Sequence, residues 1–204
     1  MKGFRMKKLI MLAALAIAAL AIGTATVFAS DGSDDNAGGS TQAATCPTPA
    51  ASQAQGADHG SGTSGDDNVD GSQGNDTEHG GKGNDDISGN AGNDDLSGDQ
   101  GDDNLCGDQG DDHMDGGPGN DDLNGGAGDD TENGQSGNDQ VNGNSGNDVL
   151  TGGPGTDTVN GGSGNDRIRV RDGRRDHVNC GAGNDTVKAD SKDVVAKNCE
   201  HVQR

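Results

Sequence analysis

A single apolar residue recurs every nine positions through the middle of the chain, with polar residues on both sides of it. Residues 62–169 divide into twelve units of nine without an insertion, and the eighth position is apolar in ten units. A lone apolar side chain between polar neighbours predicts a short strand with one inward-facing residue. The ten apolar residues are Val69, Ile87, Leu96, Leu105, Met114, Leu123, Val141, Leu150, Val159 and Ile168.

The polar positions between these strands repeat even more strictly. The first and fourth positions are always Gly, and the sixth is always Asp. Glycine at fixed places permits positive φ, so every unit is predicted to contain a tight loop. The fourth-position loop glycines are Gly65, Gly74, Gly83, Gly92, Gly101, Gly110, Gly119, Gly128, Gly137, Gly146, Gly155 and Gly164. The sixth-position aspartates are Asp67, Asp76, Asp85, Asp94, Asp103, Asp112, Asp121, Asp130, Asp139, Asp148, Asp157 and Asp166.

Loop and strand together make half a coil, so two units predict one coil of eighteen residues. Stacked coils would place every other Asp in register, one strand spacing of ~4.8 Å apart. Carboxylates at that spacing repel each other unless a cation lies between them. Ca²⁺ prefers oxygen ligands, and glycine-rich loops also expose main-chain carbonyl groups to it.

Composition agrees that something other than an apolar core must hold the fold. The chain has 39 Gly, no Trp or Tyr and only 26% hydrophobic residues, which by themselves indicate disorder. Residues 30–166 contain 29 acidic residues against one base, Lys82. Such a segment repels nucleic acid. A solvated acidic tail is the plain alternative, but the strict repeat favours a store for cations.

The units GGKGNDDIS at 80–88 and GGPGNDDLN at 116–124 resemble the RTX, or haemolysin-type, calcium-binding nonapeptide repeat, GGxGxDxUx. The resemblance covers 62–169. It implies an all-β, right-handed parallel β-roll, in which six residues of each unit form a calcium loop and three form a strand. It also implies that the sixth-position aspartates, with Asp185 in a degenerate unit, are metal ligands. Six loops on each side leave five gaps, which predicts about ten Ca²⁺ ions and folding coupled to binding.

The N-terminus is typical of an export signal. Residues 1–29 combine four basic residues with an apolar stretch and a small-residue cleavage site, although an uncleaved anchor is the alternative. Cleavage changes the net charge from −21 to −25. Residues 30–61 predict a disordered linker. The expected location is therefore secreted or extracellular, where calcium is abundant and disulfides persist.

Residues 170–204 predict degenerate repeats and a cap that closes the stack. The register slips by one residue after Arg169, and five arginines cluster between 167 and 175. Charge balance of the cap is one interpretation of that cluster, and contact with an acidic partner such as a cell-surface polyanion is the other.

Four cysteines allow three pairings in an exported chain. Cys180 and Cys199 are nineteen residues apart, close to one coil, which favours a disulfide that staples the cap. Cys106, at an outward ninth position, and Cys46, in the linker, could pair, cross-link chains or stay free.

The sequence offers no catalytic constellation, and no two histidines have a zinc-binding spacing. We therefore expect a non-enzymatic calcium-binding protein. An adhesion or surface-layer spacer is the alternative use, and ice binding through the outward Asn124, Asn142 and Asn160 is a remote one.

Two acidic residues, Glu78 and Glu132, interrupt the apolar column. We expect them to mark weak coils, because burial of an unpaired carboxylate is costly. Replacement of Glu132 by Leu should then lower the calcium concentration needed for folding, unless Glu132 is solvated or is itself a ligand. The second position also departs from Gly, at Thr63, Ser72 and Gln135, which is expected to loosen loops without removal of ligands.

Overall fold

The computed structural model describes residues 59–204, so the expected signal peptide and residues 30–58 of the expected linker lie outside the described residues. The described chain consists of short strands and turns, and it contains no helix that could span a membrane. Seventeen strands follow one another in the order of the chain. They are β1 (His59–Ser61), β2 (Asn68–Asp70), β3 (Thr77–Lys82), β4 (Asp86–Ser88), β5 (Asp95–Gln100), β6 (Asn104–Gln109), β7 (His113–Pro118), β8 (Asp122–Ala127), β9 (Thr131–Ser136), β10 (Gln140–Ser145), β11 (Val149–Thr151), β12 (Thr158–Ser163), β13 (Arg167–Arg169), β14 (His177–Ala182), β15 (Thr186–Lys188), β16 (Val194–Val195) and β17 (His201–Gln203).

Successive strands alternate between two parallel sheets that face each other. The odd-numbered strands form a nine-stranded sheet and the even-numbered strands an eight-stranded one, each in chain order. This is a parallel β-solenoid of about eight turns, as the nine-residue period predicted. Strand β1 lies within the segment that was expected to be a disordered linker. It is part of the roll, since Gly60 pairs in register with Glu78 one coil further on.

The coil length is constant through the array and changes only in the cap. Partner residues lie eighteen apart through most of the array, as in Val141 opposite Val159, and nineteen apart at Thr158 and His177. The last odd-strand pairing is shorter, with Thr186 opposite His201. The slip inferred after Arg169 is therefore present, and the stack absorbs it without loss of parallel pairing.

Side chains point alternately inward and outward along each strand, and the inward ones fill the narrow interior. Residues at the eighth and first positions face inward, and Leu96, Leu105 and Leu123 are completely buried. Both glutamates of the apolar column are buried as well, Glu78 at 0% and Glu132 at 1% exposure. The inward assignment of the eighth position is thus confirmed at both exceptions.

The loops are shorter than the repeat pattern implied. Nine strands are six residues long and take in the first three positions of the next unit, which leaves only three residues for the turn. Glycine is required at the fourth position because of the stacking itself. A Cβ at Gly137, for example, would overlap the carbonyl oxygen of Gly119 one coil before it. The second position has positive φ, which Asn and Asp tolerate better than Gln135 at φ 66°.

The C-terminal coils are held by a covalent link as well as by the sheets. Cys180 and Cys199 form a disulfide with a Cα–Cα distance of 5.2 Å, which confirms the predicted staple. Both cysteines pack in an apolar cluster that continues back along the roll to Val141. Arg171 also contacts the last strand, β17, because its Nη2 donates to the carbonyl oxygen of Gln203.

Cys106 differs from the expectation of an outward, accessible side chain. It remains in the ninth-position column, in register with Ser88 and Asn124, but its side chain is fully buried and disulfide-bonded. The free-thiol alternative is therefore excluded for Cys106. Cys46, the other cysteine of that expectation, lies outside the described residues.

Candidate metal centre

The sixth-position aspartates form two continuous ladders, one along each row of loops. In each ladder the backbone N–H of one Asp donates to Oδ1 of the Asp one coil later, as in Asp85 to Asp103 at 2.8 Å. One ladder runs through Asp67, Asp85, Asp103, Asp121, Asp139, Asp157, Asp176 and Asp193. The other runs through Asp76, Asp94, Asp112, Asp130, Asp148, Asp166, Asp185 and Glu200.

The second carboxylate oxygen of these aspartates is what makes the ladders candidate metal sites. In twelve of them Oδ2 is buried and has no hydrogen-bond donor. A buried carboxylate oxygen without a donor is costly, so a cation is the natural partner for it. The twelve residues are Asp85, Asp94, Asp103, Asp112, Asp121, Asp130, Asp139, Asp148, Asp157, Asp166, Asp176 and Asp185.

Backbone oxygens converge on the same spaces. A Cβ placed on Gly134 would lie 2.5 Å from Asp139 Oδ2 and 2.7 Å from the carbonyl oxygen of Gly152. The first-position glycine therefore lets a carboxylate oxygen and a carbonyl oxygen of the next coil approach each other beside its Cα. Oxygen donors of these two kinds suit Ca²⁺, so the residues fit the ion that the repeat resemblance implies.

No three His, Cys, Asp or Glu side chains of residues 59–204 come together in one metal-binding cluster. Each ladder loop instead offers one buried carboxylate and nearby main-chain carbonyl oxygens, both of which are ligand types that Ca²⁺ takes.

The electrostatics of the ladders oppose ionisation in the absence of a cation. Burial, with a smaller contribution from the neighbouring carboxylates of the ladder, raises the pKa of Asp112, Asp121 and Asp148 to about 7. The backbone N–H groups that donate to Oδ1 act in the opposite direction. Residues 59–166 contain 25 acidic residues and a single base, so the roll has almost no internal countercharge there.

The first two aspartates are arranged differently from the others. The backbone N–H and the hydroxyl of Thr63 both donate to Asp67 Oδ2, the latter at 2.9 Å. Ser72 donates to Asp76 in the same way. Thr63 and Ser72 stand at the second position, where these units depart from Gly. They donate to Oδ2, the oxygen that has no donor in the twelve aspartates named above. The expectation that such departures leave the ligands in place stays a prediction at these loops, where Oδ2 already accepts hydrogen bonds.

The predicted ligand set omits Asp176, although the sequence places it in a degenerate unit with Val178. It occupies the same place as the other ladder aspartates, with Oδ1 accepting from the amide of Asp157 at 2.9 Å and with a buried, donor-free Oδ2. Asp176 lies nineteen residues after Asp157, one more than a full coil, so it falls outside the nine-residue columns. The apolar Val178 two residues later was the signal that could have identified it.

Asn and Asp at the fifth position have a structural task on the outer side of the loops. Their Oδ1 accepts from the backbone N–H of the fifth residue one coil later, as in Asn120 to Asn138 at 3.0 Å. The interaction recurs from coil to coil, and Thr156 closes one such series by donating to Asn138. These contacts fix the vertical stacking of the loops and so the register of the aspartate ladders.

The basic cluster of the cap lies on more than one surface. Arg167 and Arg169 are exposed on the outer face of β13, while Arg174 lies beside Asp172 at 3.9 Å in the loop that follows. The contact of this cluster with an acidic partner stays a prediction.

Comparison with known proteins gives one finding. The RTX calcium-binding nonapeptide repeat matches the chain in four copies, at residues 54–85, 79–105, 97–132 and 133–168. No curated protein matches the chain. The four copies together span more than half of the sequence, and the ladders of buried aspartates lie within them and continue beyond. The chain belongs to the RTX calcium-binding nonapeptide repeat family.

Proposed function

We propose that this protein is an extracellular, non-enzymatic calcium-binding module that folds when Ca²⁺ fills the gaps between its loops. The observation that carries the proposal is the pair of ladders in which twelve buried Oδ2 atoms have no hydrogen-bond donor. An apolar core of one side chain per nine residues cannot by itself offset the burial of so many carboxylates. Cations between the loops supply the missing stabilisation.

In this proposal the carboxylates and the backbone divide the work. Each Oδ2 binds Ca²⁺, while each Oδ1 accepts the amide of the coil below and orients its carboxylate. Carbonyl oxygens such as that of Gly152 complete the shell. Six donor-free aspartates on each side leave five gaps, which again gives about ten ions. Asp67 and Asp76, whose Oδ2 atoms accept from Thr63 and Ser72, are poorer ligands than the other aspartates.

The proposal includes the order of the domains along the chain. Residues 62–169 are the calcium-binding array and residues 170–204 are the cap, preceded by a signal peptide at 1–29 and a linker. The Cys180–Cys199 disulfide supports an oxidising, extracellular location, since such bonds persist there. Millimolar Ca²⁺ outside the cell would then trigger folding after export.

A calcium titration followed by far-ultraviolet circular dichroism tests the proposal. Mature protein in chelator should show a disordered spectrum, and millimolar Ca²⁺ should produce β-structure cooperatively. Mg²⁺ is the matched control and should fail, because it requires a tighter octahedral shell. A β-rich spectrum that persists in excess chelator, or a chain that ignores Ca²⁺, would contradict the proposal.

A further inference from the structure

Glu132 is one of two buried glutamates, with Glu78, whose carboxylates come from the apolar column of the core. Glu132 lies on β9 at the eighth position, where most other units have an apolar residue. Its side chain is 1% exposed, and neither carboxylate oxygen has a hydrogen-bond partner. The apolar core is divided at this point, since one cluster ends at Leu123 and the next begins at Val141.

The carboxylate of Glu132 turns towards the loop. A Cβ placed on Gly125 would lie 2.5 Å from Glu132 Oε1, and the same Cβ would also meet Asp130 Oδ2. Two donor-free carboxylate oxygens, Glu132 Oε1 and Asp130 Oδ2, thus lie close together beside the same glycine at the turn. In the units that begin at Gly116 and Gly134, the corresponding space is faced by a single Asp and by the carbonyl oxygen of the next coil.

Two buried carboxylate oxygens this close together favour a bound positive charge. Burial raises the pKa of Glu132 well above its ordinary value, and the carboxylates of Asp130 and Asp148 raise it further. The amides of Gly125 and Asn142 are near enough to lower the pKa, but neither forms a hydrogen bond to the carboxylate. Asp130 and Asp148 are successive members of one ladder, and Glu132 follows Asp130 by two residues on the same side of the roll.

We propose that Glu132 is an additional calcium ligand, which reaches from the interior into the gap between the loops of Asp130 and Asp148. The inference rests on the proposed function and assigns to one gap a carboxylate that the repeat pattern does not provide. That gap binds Ca²⁺ more tightly than its neighbours, because affinity rises with the number of charged ligands. Glu132 is then the opposite of the weak point expected from the apolar column.

Glu78 provides an internal contrast, since it is a buried glutamate in the same column three coils earlier. Its carboxylate lies beside Gly60, an inward residue of the preceding coil, and not beside the first glycine of its own unit. That glycine, Gly71, is faced by the carbonyl oxygen of Gly89 at 2.8 Å, as in the ordinary loops. Glu78 is therefore the matched control.

The test compares the mature wild-type protein with Glu132→Gln, Glu132→Leu and Glu78→Gln. Calcium binding is measured by calorimetry with chelator competition, which resolves the tightest step, and the folding midpoint by circular dichroism. Glu132→Gln should weaken the tightest step by at least roughly tenfold, since even outer-shell partners of metal ligands cost about 10- to 100-fold. Glu132→Leu should also raise the midpoint, although it restores the apolar column. Glu78→Gln should leave the tightest step unchanged.

The opposite outcome is equally clear. A lower or unchanged midpoint in Glu132→Leu, with the tightest step intact in Glu132→Gln, would show that Glu132 is a buried acid and not a ligand. If Glu132→Leu does not fold, Glu132→Gln decides, because amide and carboxylate have the same shape. A wild-type chain without calcium response would instead overturn the proposed function, so the two failures can be told apart.

Discussion

The two oxygens of a ladder aspartate have separate tasks, and Asp121 shows the division. Oδ1 accepts the backbone N–H of Asp103 at 2.9 Å, while Oδ2 is buried without a donor. The first contact holds neighbouring coils in register, and the second oxygen is available to a cation. At Asp67, near the first coil, the hydroxyl and amide of Thr63 engage Oδ2 instead.

Replacement of Asp121 by Asn should therefore separate the two tasks. An amide oxygen can still accept the bond from Asp103, but the charge at Oδ2 is lost. We expect the calcium midpoint for folding to rise several-fold, because two gaps share this loop. Asp67→Asn is the control and should change the midpoint little. Equal shifts in the two variants, measured by circular dichroism titration, would contradict a stacked array with distinct end loops.

At the scale of the element, the cap ends both the sheets and the ladders. The last ladder members, Asp193 and Glu200, still accept backbone amides from Asp176 and Asp185. Beyond them no further loop of the described chain offers a carboxylate to the ladder. The Cys180–Cys199 disulfide adds a covalent link between these last coils.

Loss of this disulfide should loosen the cap first. The double substitution Cys180→Ser with Cys199→Ser removes a link of this loop length, which typically contributes about 3 kcal/mol. We expect faster amide hydrogen exchange in β14–β17 and a lower unfolding midpoint in urea at saturating Ca²⁺. The double variant is preferable to a reductant, because reduction would also break the disulfide of Cys106. Unchanged exchange in the cap strands would show that the sheets alone hold it.

At the scale of the molecule, the roll stacks buried carboxyl groups that bound positive charge would stabilise. Calcium is one source of it and protons are another. Burial and neighbouring carboxylates raise the pKa of Asp94, Asp103 and Asp130 to about 6 and that of Asp121 to about 7. The unfolded chain would have the ordinary value of 3.8 for each.

The sign of the pH dependence follows from these pKa values. Between 3.8 and about 7 the folded roll binds more protons than the unfolded chain, so its stability increases as the pH falls. Metal-free protein prepared by dialysis should gain β-structure on acidification from about pH 8 to about pH 5. At limiting Ca²⁺ the same acidification should weaken calcium binding, because protons compete for the same oxygens. A metal-free spectrum that does not change with pH would contradict this account.

The sequence alone determined the architecture of this protein. A period of nine with fixed Gly, Asp and apolar columns defines a two-sheet parallel roll, the inward Leu96 and Leu105, and the two ladders of aspartates. The staple between Cys180 and Cys199 also followed from coil length. These features could be predicted because each depends only on spacing along the chain.

Only the tertiary structure decided what each oxygen does. The pattern of columns does not decide the engagement of Asp67 by Thr63, the ladder position of Asp176 or the direction of Glu132. A column of identical residues predicts identical roles, whereas hydrogen bonds are made to whichever donor the adjoining coil or second position presents. For Glu132 the deciding contact is Gly125 on the facing sheet, whose missing side chain leaves the space into which the carboxylate turns.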